Sequence, residues 1–217
     1  MILYSAIYAE GYPFDMLFEG VIPVRNPAEL TPNTGALVIW GGEDISPTLY
    51  GEKVSNFTNA QEILSPRDKI EMDLALEAID IGMPIIAICR GAQLMCALAG
   101  GKVIQHTTGH LGDHTIITHD GQTLVTSSLH HQMLYPWFLN HKLLAWSESR
   151  SSVYINGDDE DYTFPENAKS GSFIKEPEIV LFPELKTLAI QGHPEFMRAN
   201  DVFVRYCQEL TKDLIRE

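Results

Sequence analysis

Short apolar runs at the start of the chain have the length and composition of β-strands. Residues 2–8, 21–24 and 36–40 are rich in β-branched, aromatic and other apolar residues, and Gly, Pro and Asn occur between them. This pattern predicts three strands, with a short helix over residues 14–20 between the first two.

A longer helical pattern follows. Ser65 is suited to be an N-cap, Pro66 suits the first helical position, and apolar residues recur at helical spacing until Gly82. A buried strand ending at residue 88 then leads directly into a helix-forming stretch at 94–99. This alternation predicts a three-layer α/β fold, with a mainly parallel central sheet and helices on both faces.

The second half of the chain has a different pattern. Residues 115–118 and 123–126 flank an Asp-Gly turn and predict a hairpin, and residues 178–182 and 187–191 predict another. An amphipathic helix is expected over residues 201–216. Because the chain has no internal repeat and no boundary in composition, residues 1–217 are expected to form one domain.

The segment between residues 147 and 177 stands apart from these patterns. It contains the acidic run 156–161, and few apolar residues follow before Pro177. The composition of residues 156–177 favours an exposed, mobile loop over an active-site lid. The acidic run also lacks the ligand spacing of a calcium loop.

Composition excludes several classes of protein. The formal net charge of −14 argues against nonspecific binding to nucleic acid or an anionic membrane, since phosphate contacts need a basic face. No apolar run approaches the ~20 residues of a membrane span. Three scattered cysteines make no disulfide framework, and the N-terminus lacks the charged region of a signal peptide. We therefore expect a cytoplasmic protein.

Cys89 stands at the corner between a predicted strand and the helix that follows it. An abrupt strand-to-helix turn exposes the side chain at its centre, and the helix N-terminus favours an anion there. The corner is therefore suited to a thiolate nucleophile. The alternative is a buried core cysteine, which is the commoner role of a free thiol.

Two further motifs bear on this choice. His193 leaves the end of the last predicted strand, where it could act as a base toward a thiol, and Glu195 could orient its ring. Gly41 and Gly42 follow the third strand, where a glycine backbone can approach a ligand and offer an N–H to an oxyanion. Taken alone, a histidine at the end of a strand is more often structural or simply exposed, and paired glycines after a strand form only a turn.

Together these motifs resemble the class I glutamine amidotransferase superfamily, with Cys89, His193 and Glu195 as its Cys-His-Glu triad. The similarity is greatest to the γ-glutamyl hydrolase branch (peptidase C26), which includes γ-glutamyl-γ-aminobutyrate hydrolase. The resemblance implies a flavodoxin-like sheet, and the antiparallel hairpins predicted in the second half would add to it. It is carried by five motifs in family order: residues 41–47, residues 49–52, Arg67-Asp68 with Glu71, residues 89–93 and residues 128–132.

The chain departs from this branch at three places. Ala87 stands where glycine is usual, and Gly192 stands where an aromatic residue commonly precedes the histidine. The segment 147–177 does not match the short connection of the branch, and it could alter substrate access or partner choice.

The resemblance also implies roles for other residues. The backbone N–H groups of Gly42 and Arg90 are expected to form the oxyanion hole. For Gln93 the alternative to substrate binding is a helix residue that caps its own turn. The set expected to hold the glutamyl moiety is Gln93 with the backbone of Ser128, Leu129 and His130.

A group of histidines suggests zinc. Imidazoles four residues apart can share a helix face and bind this metal. Two glycines interrupt helical spacing here, however, and a thiol-based mechanism needs no metal and no cofactor, so we expect neither. The residues concerned are His106, His110 and His114, with Asp113 and His119 nearby.

The leading function is a stand-alone hydrolase that releases glutamate and an amine from a γ-glutamyl amide, through a thioester on Cys89. The main alternative is a glutaminase that delivers ammonia from glutamine to a separate synthetase partner. A binding module without turnover would not need the whole triad, and nothing indicates the extended groove of a peptidase. The pattern leaves the leaving amine and the oligomeric state open.

Overall fold

The computed structural model describes residues 1–216. Within this range three α-helices are present: α1 (Pro66–Asp80), α2 (Arg90–Leu98) and α3 (Val202–Arg216). The same residues form fourteen strands: β1 (Ile2–Ala6), β2 (Gly20–Val24), β3 (Gly35–Ile39), β4 (Ile85–Ile88), β5 (Lys102–Ile104), β6 (His106–Thr107), β7 (His114–Thr118), β8 (Thr123–Thr126), β9 (Met133–Tyr135), β10 (Lys142–Glu148), β11 (Tyr154–Ile155), β12 (Lys169–Ser170), β13 (Phe173–Phe182) and β14 (Thr187–Ile190).

One large sheet organises the molecule, in the order β2-β1-β3-β4-β14-β13-β10-β7-β8, with β12 paired to β13. The first five strands of this order, β2-β1-β3-β4-β14, are parallel to one another. Each neighbouring pair from β14 to β8 is antiparallel. The predicted α/β fold with a parallel central sheet is confirmed. Both predicted hairpins form, as β7–β8 and β13–β14, and they extend this same sheet.

The central strands carry a core on each face. Strands β3 and β4 are buried along their whole length. Because side chains alternate along a strand, Val38 and Ile86 pack with α3 on one face, while Leu37 and Ile85 pack with α1 and α2 on the other. This arrangement gives the three layers expected from the sequence.

Helix α1 begins where its sequence predicts. The Ser65 side chain accepts a hydrogen bond from the Asp68 N–H, and the Asp68 carboxylate accepts one from the Ser65 N–H. This capping box satisfies two backbone donors at the helix start. No helix within residues 1–216 has the length and apolar character needed to cross a membrane.

Two elements near the N-terminus differ from the prediction. Strand β1 ends at Ala6, and Ile7 turns the chain away from the sheet with a φ of 71°. The predicted helix over 14–20 is a single 3-10 turn, Asp15–Leu17, because the chain enters β2 at Gly20 and pairs with β1.

The stretch 156–177, predicted to be an exposed, mobile loop, is largely exposed but is not without regular structure. It follows β11 directly and contains β12 and the first half of β13. Tyr154, Phe164 and Ala168 are buried and pack with Tyr135 and Trp137 in a separate core cluster. The aromatic residues in this segment are too widely spaced to show a period, so composition alone conceals their burial.

Candidate active site

The carboxyl ends of the parallel strands meet at one edge of the sheet. Gly41, Cys89 and His193 follow β3, β4 and β14, which are adjacent in the sheet order. A cavity of about 650 Å³ lies at this edge. It is lined by Tyr8, Ala9, Glu10, Trp40, Gly41, Gly42, Cys89, Leu129, His193, Glu195 and Phe196.

Cys89 occupies a strained corner. Its φ of 48° and ψ of −104° are a conformation that non-glycine residues rarely adopt. The Cys89 N–H donates to the Ile190 carbonyl at 2.7 Å, and the Cys89 carbonyl accepts from the Gln93 N–H at 3.1 Å. Strand β14 and helix α2 therefore hold this corner from both sides, as in a nucleophile elbow.

Cys89 differs from the other two cysteines in its surroundings. It is 6% exposed and lines the cavity, whereas Cys96 and Cys207 are fully buried. Burial raises the pKa of the Cys96 thiol to about 12 and raises that of Cys207 as well. Cys89 is thus the cysteine placed to meet a ligand.

His193 lies beside Cys89 and is oriented by Glu195. The His193 Nδ1 is 2.7 Å from the Glu195 Oε1. A Cβ at Gly41 would lie 2.7 Å from His193 Cε1 and 3.4 Å from Cys89 Cβ, so the two side chains converge where only glycine leaves room. Burial opposes the charged ring, but interactions with Cys89 and Glu195 outweigh it and raise the pKa of His193 to about 10.

A buried ion network anchors the start of α2. The Arg90 guanidinium donates to the carboxylates of Asp68 and Glu71 on α1. The Arg67 Nε donates to Glu71 at 2.9 Å. Burial raises the pKa of Glu71, while the two arginines oppose this shift. The network fixes the helix N-terminus on which the backbone N–H of Arg90 lies.

Arg67 also holds the glycine turn after β3. Its Nη2 donates to the carbonyls of Trp40 at 3.1 Å and Gly41 at 2.9 Å. A Cβ at Gly42 would lie 2.1 Å from the Arg67 Nη1, so a side chain there would displace the guanidinium. Sequence reasoning assigned Arg67 to a family motif but did not give it this contact.

The predicted glutamyl-binding residues divide into two groups. Leu129 is 59% exposed and lines the cavity. Gln93 donates to the Gln132 carbonyl at 3.2 Å, so it does not cap its own helical turn. The Ser128 hydroxyl donates to a backbone carbonyl at 2.6 Å, and the His130 Nδ1 lies 2.8 Å from the Gln132 carbonyl. These side chains bind within the protein, and substrate binding by the backbone of this loop stays a prediction.

The histidines considered for zinc do not share a helix. His110 lies between Glu176 and Glu178, at 3.2 and 3.4 Å, and donor atoms of His110, His130 and Glu178 fall within 4.8 Å of one another. Burial disfavours a charged His110, but the two carboxylates prevail and raise its pKa to about 9. The His110 proton therefore balances charge in this cluster. His106 is not part of this cluster, and its ring stacks on Phe57.

Several cavity residues were missed from the sequence. Tyr8, Ala9 and Glu10 follow β1, and Phe196 stacks on the His193 ring with centroids 4.7 Å apart. The signal for the first three was present, because residues after the carboxyl end of a central parallel strand tend to reach the site.

Gly192 shows why this chain departs from the family at that position. A Cβ there would lie 2.1 Å from the Thr126 Oγ1. The next residue, His193, donates its N–H to the Ser127 carbonyl at 2.8 Å. The loop after β8 therefore packs closely against the backbone next to His193.

Part of this chain is similar to known sequences. The peptidase C26 family model matches residues 11–147. A Mycobacterium tuberculosis protein provisionally named a glutamine amidotransferase is 39% identical over 77 residues, covering 36% of this chain and 24% of that protein. Protein NtpR of Enterococcus hirae is 34% identical over 103 residues, covering 46% and 40%. The chain thus spans less than half the length of these curated relatives.

Solved structures share the fold. A Thermoplasma acidophilum protein provisionally assigned as a GMP synthase component has a TM-score of 0.60 at 14% identity, over 100% of this chain and 93% of its own. The glutaminase domain of Trypanosoma brucei CTPS with bound acivicin has a TM-score of 0.55 at 13% identity, over 100% and 94%. The family model covers more than half of the residues of this chain. The chain therefore belongs to the peptidase C26 branch of the class I glutamine amidotransferase superfamily.

Proposed function

We propose that this protein hydrolyses γ-glutamyl amide bonds through a thioester on Cys89. The observation that carries the proposal is the placement of Cys89, at a strained elbow beside His193, whose ring is oriented by Glu195, in an open cavity. This constellation is the nucleophile, base and orienting group of covalent acyl transfer.

The charge state of the pair suggests the order of events. With its pKa raised to about 10, His193 is protonated at neutral pH and faces Cys89 as an imidazolium. The Cys89 thiolate would attack the δ-carbonyl carbon, and the N–H groups of Gly42 and Arg90 would receive the developing oxyanion. The C–N bond then breaks as His193 donates its proton to the leaving amine, which leaves a thioester.

Hydrolysis of the thioester would complete the cycle. The neutral His193 takes a proton from water, and the resulting hydroxide attacks the thioester carbonyl. The carbon–sulfur bond breaks, glutamate leaves, and the Cys89 thiolate is restored beside the imidazolium. Glu195 supports the charged ring at both stages.

The size of the cavity favours an amide larger than glutamine. Its volume of about 650 Å³ lies within the range of ~300–1,000 Å³ typical of pockets for drug-sized ligands. Glutamine has only ammonia on the leaving side, so it would leave much of this space unfilled. A substituted amine would occupy it.

A second candidate is a glutaminase that supplies ammonia to a synthetase partner. The structural similarity to a protein assigned as a synthase component, and to a glutaminase domain, favours this possibility. In that case glutamine would be the substrate, and turnover by the chain alone would be weak.

Glutamate release from the purified chain tests the proposal. Free glutamine is compared with a panel of γ-glutamyl amines, with Cys89→Ala as the blank. Cys96→Ser is the matched control, since its Sγ already faces the Lys102 carbonyl at 3.4 Å, away from the cavity. We expect turnover of γ-glutamyl amines that Cys89→Ala abolishes and Cys96→Ser retains. Turnover confined to glutamine would favour the glutaminase, and turnover that survives in Cys89→Ala would refute the mechanism.

A further inference from the structure

The cavity wall has an unusual charge distribution. Within residues 1–216, no lysine or arginine lines it, and the carboxylates that line it belong to Glu10 and Glu195. The chain as a whole carries a formal charge of −14, which adds to the negative potential at this site. The side chains of the wall therefore offer a carboxylate partner to a cation and no lysine or arginine partner to an anion.

Resting on the proposed hydrolase function, we propose that the leaving amine carries a second, protonated amino group. The substrate is then a γ-glutamyl amide of a diamine, and Glu10 is the residue that determines this specificity. The wall disfavours an amine that ends in a carboxylate, such as γ-aminobutyrate, because that group would meet Glu10 without a basic partner.

The position of the leaving group follows from the chemistry. His193 must reach the leaving nitrogen to protonate it, so the amine leaves the site beside the His193 ring. Phe196 stacks on that ring and is 62% exposed, and Tyr8 lines the same cavity with 44% of its surface exposed. Aromatic faces attract a cation and also pack against the methylene groups of an alkyl diamine.

The segment that carries Glu10 is held in place at both ends. Ile7 has a φ of 71°, which is rare for a β-branched residue, and its N–H donates to the Val24 carbonyl at 2.9 Å. Beyond Glu10, the Tyr12 hydroxyl donates to the Met197 carbonyl at 2.6 Å, next to the His193 loop. The backbone thus presents Glu10 to the cavity from fixed anchors.

Arg67 does not supply the missing positive charge. Its guanidinium lies 5.5 Å from the centre of the Tyr8 ring, but it is bonded to the carboxylates of Glu43 and Glu71. Its Nη2 is occupied by two backbone carbonyls. Carboxylates therefore already engage the charge of Arg67 before any substrate binds.

Three substrates of matched length test the proposal: the γ-glutamyl amides of putrescine, n-butylamine and γ-aminobutyrate. They end in a cation, a methyl group and an anion, respectively. We expect kcat/KM to fall in that order, with at least about a tenfold difference between the first and the last, as a single nearby charge predicts. Added salt should narrow the difference, because Glu10 is exposed to solvent.

Variants of Glu10 assign the preference to this residue. Glu10→Gln should bring the ratio of the putrescine amide to the butylamine amide toward one, and Glu10→Lys should favour the γ-aminobutyrate amide. Glu62→Gln is the control, because this glutamate is exposed and outside the cavity. It should retain the wild-type order.

The outcomes separate this inference from the proposed function. If no γ-glutamyl amide is turned over, or if Cys89→Ala is equally active, the hydrolase function itself fails. If wild-type enzyme turns over the γ-aminobutyrate amide as well as the putrescine amide, the hydrolase stands and the cationic substrate is refuted. A preference for putrescine that persists unchanged in Glu10→Gln would overturn the role of Glu10.

Discussion

Replacing Arg90 with methionine would remove the charge that two buried carboxylates share. Arg90 is 1% exposed, and its partners Asp68 and Glu71 are 1% and 0% exposed. Methionine is long, unbranched and a good helix former, so α2 can still form. The substitution therefore tests the ion network alone.

The expected loss in the free energy of unfolding depends on the hydrogen bonds that each carboxylate keeps in the variant. Removing one partner of a buried ion pair lowers the free energy of unfolding by ~3–5 kcal/mol. Asp68 keeps the Ser65 N–H at 2.9 Å, and Glu71 keeps Arg67 at 2.9 Å. These contacts place the expected loss near the lower limit, at ~3 kcal/mol, which corresponds to a fall in Tm of roughly 6–12 °C for a chain of this size.

Urea unfolding at several pH values measures this loss. Burial already raises the pKa of Glu71, and removing Arg90 strengthens that shift. The penalty is therefore full at neutral pH and shrinks as the pH falls toward the unfolded carboxyl pKa of ~4. Glu71→Gln should recover stability in the Arg90→Met background, although it destabilises the wild type.

Arg205→Met is the control for this experiment. Arg205 is an exposed arginine on α3, and its replacement should change the free energy of unfolding by less than ~0.5 kcal/mol. A stability of Arg90→Met equal to that of wild type at neutral pH would refute the reasoning. So would a loss that does not depend on pH.

Three other perturbations probe the site and its surroundings. Glu195→Gln removes the charge that supports His193, so hydrolysis should fall ~10²–10⁴-fold, and alkylation of Cys89 at neutral pH should slow, as measured with iodoacetamide. Gly41→Ala places a methyl group 2.7 Å from His193 Cε1, so kcat should fall at least about tenfold in steady-state assays. His110 has a raised pKa of about 9, so its contribution to stability is present below the unfolded pKa of ~6.5 and is lost as pH rises through about 9; urea titration at each pH measures this loss.

Each of these predictions has a distinct contrary result. Normal alkylation and turnover in Glu195→Gln would mean that the carboxylate does not act on the histidine. Full activity of Gly41→Ala would show that the two side chains do not converge at that glycine. A decline in stability at alkaline pH that is identical in His110→Asn would assign the decline to other groups.

The features that the sequence determined are local. The N-cap of α1, the apolar runs of β3 and β4, and the elbow at Cys89 each depend on residues next to one another in the chain. Backbone conformation and side-chain periodicity act over a few residues, so a pattern of that length carries them. His193 was recognised as a site residue because its motif follows the other family motifs in the order expected along the chain.

Only the tertiary structure decided which distant residues share the cavity and the buried clusters. Glu10 reaches the wall because β1 lies beside β3 in the sheet, and Arg67 crosses from α1 to close on Gly42. His110 meets Glu176 across 66 residues of chain. Such contacts depend on strand order and on the close packing of whole elements, and no periodicity along the chain encodes either.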